Sequence, residues 1–201
     1  EFVEELGHGA HGVVYKATYD GEAVAVKEVL HENKETQRQL IIEVDQLRKL
    51  TPHRNVVQMV GVVLTPLCLV LRFYPCGSLL DALYGKQPLA LGDEHLQYIC
   101  AGIARGCAHL HLHHVVHRDL AARNVLLEHD LTPRITDFGL CRTAVPRGAA
   151  LKKTKKFEGP LRHMSPEQLL QHVVGTCCDV WSFGQVMFEC WNRSKPFPHL
   201  E

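Results

Sequence analysis

The chain has 201 residues, 46% of them hydrophobic, and carries 22 Lys and Arg against 22 Asp and Glu. These proportions are typical of a soluble globular protein and exclude an intrinsically disordered chain. A formal net charge of zero gives no overall field that would attract nucleic acid or an anionic membrane, so we expect no nucleic-acid partner.

The longest apolar stretch, residues 56–71, is interrupted by polar residues and a proline and is too short to cross a bilayer, so we expect no membrane segment. The eight cysteines include no CxxC pair. Cys100 and Cys107 fall on the apolar stripe of a predicted helix, where a free thiol packs as a small hydrophobe. We predict reduced cysteines and a cytoplasmic location, either as a separate protein or as the intracellular part of a larger one.

The first third of the chain predicts a β-sheet with one helix. Residues 2–29 alternate short β-branched runs with turns, and Asp20-Gly21 is a strong hairpin signal, which together indicate three antiparallel strands. A helix is predicted over 33–50, and two more strands over 56–63 and 67–73.

Glu43 lies within the apolar stripe of that predicted helix. The stripe consists of Leu40, Val44 and Leu47, with Ile41 beside them. A carboxylate on a core-facing surface is costly unless it meets a cation, and Lys27, in an otherwise apolar strand, is the nearest candidate. The alternative, a lysine that extends along the strand to solvent, leaves Glu43 unexplained, so we predict an ion pair.

Residues 75–78 interrupt the strand pattern, and the remainder of the chain is mainly helical in character. A period of 3.6 predicts a long helix that includes Leu96 and Leu110, and another helix is predicted to begin near Asp179. The order indicates a β-rich region followed by an α-rich region, which is an α+β fold.

A glycine motif, G-x-G-x-x-G-x-V, occupies residues 7–14. Its glycines are Gly7, Gly9 and Gly12. The absent side chains let backbone amides approach phosphate oxygens. A dinucleotide-binding loop is the alternative, with Glu28 near the distance expected for a ribose-binding acid, but it requires a helix after Gly12. The β-forming residues 13–15 argue against that helix.

Three further motifs follow in order: Val24-Ala25-Val26-Lys27, HRDLAARN at 117–124, and Asp137-Phe138-Gly139. Together the four motifs resemble the eukaryotic protein kinase family, in its tyrosine-kinase and tyrosine-kinase-like groups. The resemblance implies a bilobal kinase fold with a small β-rich N-lobe and a mostly helical, incomplete C-lobe. It places the N-lobe at 1–71, the hinge at 72–77, the C-lobe at 78–201, the catalytic loop at 117–124 and the activation segment at 137–167.

The resemblance implies transfer of the γ-phosphate of ATP to a hydroxyl of a protein substrate. Asp119 would accept the hydroxyl proton, and Lys27 would contact the α- and β-phosphates while pairing with Glu43. Asn124 and Asp137 would bind Mg²⁺. The implied catalytic set is Lys27, Glu43, Asp119, Arg123, Asn124 and Asp137.

The resemblance also implies a nucleotide site, in which Leu71 is the gatekeeper and the next three residues bind adenine through their backbone. The implied nucleotide-binding residues are Gly7, Gly9, Gly12, Val14, Ala25, Lys27, Leu71, Arg72, Phe73 and Tyr74. His11 departs from the family, which usually has an aromatic residue there. Cys76 lies just past the hinge, and we expect an inert thiol.

Several residues resemble structural parts of the family. His117 and Phe138 match an internal hydrophobic column, with Leu47 and Met59 as its upper members. Asp179 matches an aspartate that braces the catalytic loop, and it also fits the N-cap of the last helix.

Three features of the sequence indicate which type of hydroxyl accepts the phosphate. Serine and threonine kinases usually have Lys two positions after the catalytic Asp, whereas this chain has Ala121 there and Arg123 two positions later. Pro160-Leu161-Arg162 resembles the tyrosine-kinase peptide platform, with His163 in place of the usual Trp, before the closing Ser165-Pro166-Glu167. These features favour tyrosine, and a serine/threonine or dual-specificity enzyme stays open as the alternative.

The activation segment contains no tyrosine between Asp137 and Glu167. Thr154, flanked by four lysines, is a candidate phosphosite whose phosphate Arg118 could bind, and a solvated basic loop tip is the alternative. The upstream regulator is left open.

A non-catalytic scaffold is the alternative of another class, and retention of the full catalytic set argues against it. The sequence ends at Glu201, just after the central helix of the family. We therefore expect an unpaired Glu167, uncovered faces of Trp181 and Trp191, and instability of this segment in isolation.

Overall fold

The computed structural model describes residues 2–9, 12–29, 34–143, 152–153 and 160–199. Its largest sheet has five antiparallel strands in the order β1-β2-β3-β5-β4. These strands are β1 (Phe2–Gly9), β2 (Gly12–Tyr19), β3 (Glu22–Glu28), β4 (Met59–Leu64) and β5 (Leu67–Arg72). One helix, α1 (Lys34–Lys49), lies between β3 and β4 in sequence, as predicted.

The hairpin between β2 and β3 turns at the predicted dipeptide. Asp20 and Gly21 have φ values of 49° and 79°, and Tyr19 pairs with Glu22 across the turn. These are the positive φ angles that a tight primed turn requires. The hairpin holds Lys27 opposite Val14, so the lysine and the end of the glycine motif share one part of the sheet.

Helix α1 buries Leu40, Glu43 and Leu47, which confirms the carboxylate within the apolar stripe. Ile41 is 58% exposed, so its placement beside the stripe is wrong. It lies one residue past Leu40, which turns it about 100° away from the buried face.

The strand predicted over 56–63 begins only at Met59. Val56 forms a bridge to Ile135, and the Val57 amide donates to the Ile135 carbonyl at 3.0 Å. These two apolar residues therefore pair with the C-terminal half of the chain and tie the five-stranded sheet to it.

The second half contains α2 (Leu79–Tyr84), α3 (Asp93–Leu112), α4 (Pro166–Gln171) and α5 (Thr176–Asn192). Short antiparallel strand pairs connect these helices. The pairs are β6 (Val115–Val116) with β9 (Arg142–Thr143), β7 (Val125–Leu127) with β8 (Pro133–Ile135), and β10 (Lys152–Lys153) with β11 (Val173–Val174). Helix α5 begins at Thr176 with Gly175 as its N-cap, so the N-cap interpretation of Asp179 is wrong.

Helix α3 packs directly against β8. A Cβ atom at Gly106 would lie 2.7 Å from Ile135 Cδ1 and 2.8 Å from the Asn55 carbonyl oxygen, so this approach requires glycine. The Asn55 amide also donates to the Pro133 carbonyl at 3.0 Å. The contact fixes the hairpin of β7 and β8, which lies between the two acidic motifs in the sequence.

One apolar core extends from the sheet to the helices and includes Leu69, Ile103, Phe138 and Val186, all fully buried. Trp181 and Trp191 on α5 are 39% and 43% exposed, in line with the expectation of uncovered faces. Among the helices of the described residues, none combines the length and apolar character needed to cross a membrane.

Candidate active site

A cavity of about 530 Å³ lies between the five-stranded sheet and the loops around β7 and β8. The predicted site residues that line it are Gly7, Gly12, Val14, Ala25, Lys27, Glu43, Leu71, Arg123, Asn124 and Asp137. Residues separated by as many as 130 positions in sequence therefore meet around one concave space.

Lys27 is the centre of an ion-pair triad on one wall of this cavity. Its Nζ lies 2.7 Å from Glu43 Oε2 and 3.2 Å from Asp137 Oδ1. Burial alone would lower the pKa of Lys27, but the charges of the two carboxylates outweigh burial and raise the pKa. Lys27 is therefore a cation at neutral pH, and the predicted pair with Glu43 is present.

Asp119 lies in the loop between β6 and β7 and is buried. Its Oδ1 accepts a hydrogen bond from Arg123 Nη2 at 2.5 Å, and its Oδ2 accepts one from Asn124 Nδ2 at 2.8 Å. Arg123 and Asn124 belong to a single 3-10 turn, Ala122–Asn124, that directly follows in sequence. This turn sets the orientation of the carboxylate before any substrate arrives.

Asp179 on α5 stabilises the conformation of the same loop. Its carboxylate accepts hydrogen bonds from the backbone amides of His117 at 2.8 Å and Arg118 at 2.9 Å. His111 Nε2 lies 2.9 Å from Asp179 Oδ2. Arg118 has a positive φ of 68°, a costly conformation for a residue with a side chain. The bonds to Asp179 stabilise this loop conformation, which agrees with the predicted bracing role.

Asp137 also has a positive φ, 64°, while the adjacent Phe138 is fully buried. The Phe138 ring packs edge-on against His117, with ring centroids 5.3 Å apart. Leu47 and Met59 belong to the same apolar core as Phe138, and their place in the predicted column stays a prediction. The buried ring thus anchors the loop that carries the Asp137 carboxylate.

The glycine motif enters a strand and not a helix. Gly12 begins β2, and β2 runs directly through Val13 and Tyr15, so the dinucleotide-loop alternative is wrong. Gly12 has φ 120°, and a Cβ atom there would overlap the Glu28 carbonyl oxygen. Gly9 pairs with Gly12 at the end of the hairpin, and His11 lies outside the described residues.

Three predicted hinge residues do not line the cavity in the described part of the chain: Arg72, Phe73 and Tyr74. The Phe73 amide donates to the Ala23 carbonyl at 3.4 Å, and the Tyr74 hydroxyl accepts the Gln58 amide at 2.9 Å. Tyr74 is buried, so its side chain serves packing, and the role of the three residues in binding adenine through the backbone stays a prediction. Burial raises the pKa of the nearby Cys76 thiol, which fits an inert cysteine.

Four residues that the motifs did not single out also line the cavity: Ser78, Asp81, Leu126 and Thr136. Ser78 caps α2 by accepting the Asp81 amide at 3.1 Å, and its hydroxyl donates to the Asp81 carboxylate at 2.5 Å. The available signal was proximity in sequence, since Thr136 precedes Asp137 and Leu126 follows Asn124 by two positions.

Asn124 and Asp137 offer oxygen ligands suited to a hard divalent cation. Asn124 uses its amide nitrogen to donate to the carboxylate and to the backbone carbonyl of Asp119, at 2.8 and 2.7 Å. This orientation leaves the amide oxygen of Asn124 available as a ligand for a metal ion. The residues present therefore fit a divalent metal ion.

The end of the predicted activation segment is described from Pro160 onward, and Thr154 with its flanking Lys155 and Lys156 lies outside the described residues. Ser165 caps α4, where its hydroxyl accepts the Gln168 amide and Gln168 reaches back to the Ser165 amide. The Glu167 carboxylate contacts the Cys178 thiol at 3.7 Å. A serine in place of the usual alanine is thus accommodated as a helix cap.

Comparison with known proteins agrees with this geometry. The family model of the protein tyrosine and serine/threonine kinases matches residues 1–201. A serine/threonine-protein kinase of Arabidopsis thaliana, STY46, is 31% identical over 100% of this chain and 34% of its own length. The tyrosine-protein kinase SPK-1 of Girardia tigrina is 32% identical over 100% of this chain and 41% of its own length.

The tyrosine-protein kinase transmembrane receptor Ror of Drosophila melanogaster is 36% identical over 96% of this chain and 29% of its own length. The chain thus spans well under half the length of these relatives. The match over all 201 residues shows that the chain belongs to the protein tyrosine and serine/threonine kinase family, whose members use ATP and a divalent metal ion.

Proposed function

We propose that this chain transfers the γ-phosphate of ATP, with Mg²⁺, to a hydroxyl of a protein substrate, and that tyrosine is the favoured acceptor. One observation carries the proposal. The cavity that contains the Lys27, Glu43 and Asp137 triad also contains Arg123 and Asn124, the two residues that hold the Asp119 carboxylate.

The nucleotide side of the site consists of the sheet and its glycine hairpin. Backbone amides of Gly7, Gly9 and Gly12 approach the phosphates, and Lys27 contacts the α- and β-phosphates. Val14, Ala25 and Leu71 line the same cavity and pack against adenine, which the backbone of Arg72 to Tyr74 recognises. Ser78 and Asp81 line it at the start of α2, where their oxygens suit the ribose hydroxyls.

The transfer side of the site consists of the loop that follows β6. Asp119 accepts the proton of the substrate hydroxyl and orients its oxygen toward the γ-phosphate. Asn124 and Asp137 would hold Mg²⁺, which when bound would supply positive charge to stabilise the phosphate oxygens. Because both oxygens of Asp119 are already hydrogen-bonded, little reorganisation is needed when the hydroxyl arrives.

The preference for tyrosine rests on the residues next to Asp119. Ala121 is buried and small where serine/threonine kinases usually have Lys, and the cation comes instead from Arg123, four positions after Asp119. The relatives named above include both tyrosine and serine/threonine kinases, so the serine/threonine alternative remains the competing outcome.

The proposal also covers the lobe boundaries, the binding partners and the cellular location. Residues 1–71 form the N-lobe, 72–77 the hinge and 78–201 part of the C-lobe, so that the cavity lies between two lobes. The partners are ATP and a protein substrate, in the cytoplasm.

The test uses peptides in which Tyr, Ser or Thr is the only hydroxyl residue, with ATP and Mg²⁺. We expect label on the Tyr peptide, and its loss with EDTA and in Asp119→Asn. An exposed carboxylate variant, Asp45→Asn, controls for handling because Asp45 is solvent-exposed and pairs with Lys49 one turn further along α1. Label on Ser or Thr would select the alternative, and no label from a folded, ATP-binding chain would favour the scaffold.

A further inference from the structure

Glu189 on α5 is a buried carboxylate with three hydrogen-bond donors. Its Oε1 accepts the Tyr84 hydroxyl at 2.6 Å, and its Oε2 accepts the Ala122 amide at 3.1 Å. His163 Nε2 lies 3.0 Å from Oε2. The donors come from α2, from the 3-10 turn of the catalytic loop, and from the turn before α4, so Glu189 joins three separate segments.

The ionised state of the Glu189 carboxylate depends on its hydrogen-bond donors. Burial alone would raise the pKa of Glu189, but hydrogen bonds from His163, Tyr84 and the Ala122 amide outweigh burial and lower the pKa. Glu189 is therefore ionised at neutral pH. Removing one donor leaves part of a buried charge unsatisfied, and that cost falls on the segments that Glu189 joins.

His163 occupies the position where the family resemblance anticipates tryptophan. It is buried, and the Ser182 hydroxyl donates to its carbonyl oxygen at 2.8 Å, which fixes it to α5. Its Nδ1 is buried without a partner among the described residues. The neutral tautomer with hydrogen on Nε2 therefore satisfies Glu189 without leaving a second buried N–H unpaired.

A second cavity, of about 390 Å³, lies beside this network. Its lining residues are Leu80, Tyr84, Ala121, Arg123, Pro160, Leu161, Arg162, His163, Glu189 and Lys195. Arg123 also lines the nucleotide-side cavity and binds Asp119 at 2.5 Å. One side of the second cavity is thus formed by the Glu189 network, and another by the residue that holds the proposed base.

We propose that His163 is a positioning residue for the protein substrate. Through Glu189 it couples the second cavity, which receives the substrate chain beside the accepting hydroxyl, to Ala122 and the turn that carries Arg123 and Asn124. The inference rests on the proposed function for its kinetic part, while the coupling between His163 and Ala122 is a property of the fold.

The test compares His163→Phe, which removes the donor, with His163→Gln, which places an N–H near the position of Nε2. His129→Phe is the matched control, since His129 is exposed in the turn between β7 and β8. A hydrogen bond to a buried charge changes an equilibrium by about tenfold or more. We expect His163→Phe to lower kcat/KM for peptide by about tenfold, mainly through KM, with KM for ATP within about twofold.

We expect His163→Gln to restore most of the peptide KM, and His129→Phe to behave as wild type. An unchanged peptide KM in His163→Phe would overturn the inference. Equal losses in the Phe and Gln variants, with KM for ATP rising in parallel, would also overturn it, because that pattern indicates general damage to the fold.

Amide hydrogen exchange separates this inference from the proposed function. In His163→Phe we expect exchange at Ala122 to accelerate by about tenfold, and in His163→Gln to stay near the wild-type rate. Faster exchange in a chain that transfers no phosphate would retain the coupling and reject the proposed function. Unchanged exchange at Ala122 in an active enzyme would reject the coupling alone.

Discussion

Lys27 and Glu43 are 16 residues apart in sequence, and their side chains meet at 2.7 Å in the wall of the cavity that we propose binds ATP. Glu43 is almost fully buried, whereas Lys27 keeps a small exposed surface toward the cavity. The position of α1 against the sheet is therefore coupled to the position of the Lys27 ammonium, which we propose contacts the phosphates of ATP.

This pair predicts different responses of stability and activity. Lys27→Met leaves a buried carboxylate uncompensated, so we expect the free energy of unfolding to fall by about 3 kcal/mol. Adding Glu43→Leu removes that carboxylate and should recover at least half of the loss, while phosphate transfer stays abolished in both variants. Chemical denaturation and a transfer assay measure the two effects.

The matched control is Lys49→Met, which breaks the exposed pair with Asp45. We expect a change of no more than about 0.5 kcal/mol. Equal destabilisation in the single and double variants would show that the buried pair is not the cause.

Asp179 predicts a link between α5 and the rate of transfer. In Asp179→Asn a single amide oxygen remains to accept the His117 and Arg118 backbone amides, so the catalytic loop loses one anchor. We expect kcat to fall by about tenfold and the free energy of unfolding by about 2 kcal/mol, with KM for ATP little changed. Asp93→Asn, in the first turn of α3, should have wild-type kinetics. A wild-type kcat in Asp179→Asn would contradict the bracing role.

The close approach of Gly12 to Glu28 leads us to predict that the hairpin requires glycine at this position. With φ 120° and the Glu28 carbonyl oxygen directly in the path of a Cβ atom, Gly12→Ala must separate β2 from β3. We expect a loss of about 2 kcal/mol in the free energy of unfolding and weaker ATP binding, measured by calorimetry. Gly61→Ala on β4 is the control, because among the described residues no atom outside its two chain neighbours lies within 4 Å of its Cβ position. Equal effects at both glycines would contradict the steric argument.

His53 predicts a pH dependence of stability. Its ring stacks on His109 at 4.4 Å, and burial together with His109, Arg105 and Arg134 lowers its pKa below the ordinary 6.5. The unfolded chain then binds a proton more readily than the folded chain. The stability that the neutral ring contributes is complete above pH 6.5 and is lost as pH falls toward the lower pKa of the folded state.

We expect His53→Asn to weaken the decline of unfolding free energy below pH 6.5, because asparagine supplies an acceptor for the Asn55 amide without titrating. Denaturation at several pH values measures the slope, and His129→Gln should leave it unchanged. A slope in His53→Asn as steep as that of wild type would contradict the assignment.

The sequence predicted those parts of the site in which a residue's polarity does not fit the hydrophobic pattern around it. Glu43 within an apolar stripe required a cation, and the structure places Lys27 there. The Asp20-Gly21 turn followed from local backbone geometry. Contacts between distant segments could not be predicted from local sequence patterns. No pattern connects His163 with Glu189, and none indicates that Val56 pairs with Ile135 instead of continuing β4.

Two errors have local causes. Asp179 is a good N-cap residue by type, but helix α5 begins three residues earlier at Thr176, and the carboxylate instead accepts hydrogen bonds from the His117 and Arg118 amides. Ile41 follows the buried Leu40 and therefore points away from the core. The lobe boundaries, the activation phosphosite and the roles of the site residues stay predictions.

The central claim is that Asp119 performs the transfer step in a site that binds ATP independently of it. The most direct measurement determines ATP affinity and the rate of phosphate transfer in the same preparations of wild type and Asp119→Asn. We predict ATP affinity within about twofold and a transfer rate lower by about 100-fold or more in the variant. Equal transfer rates in the two proteins would contradict the account.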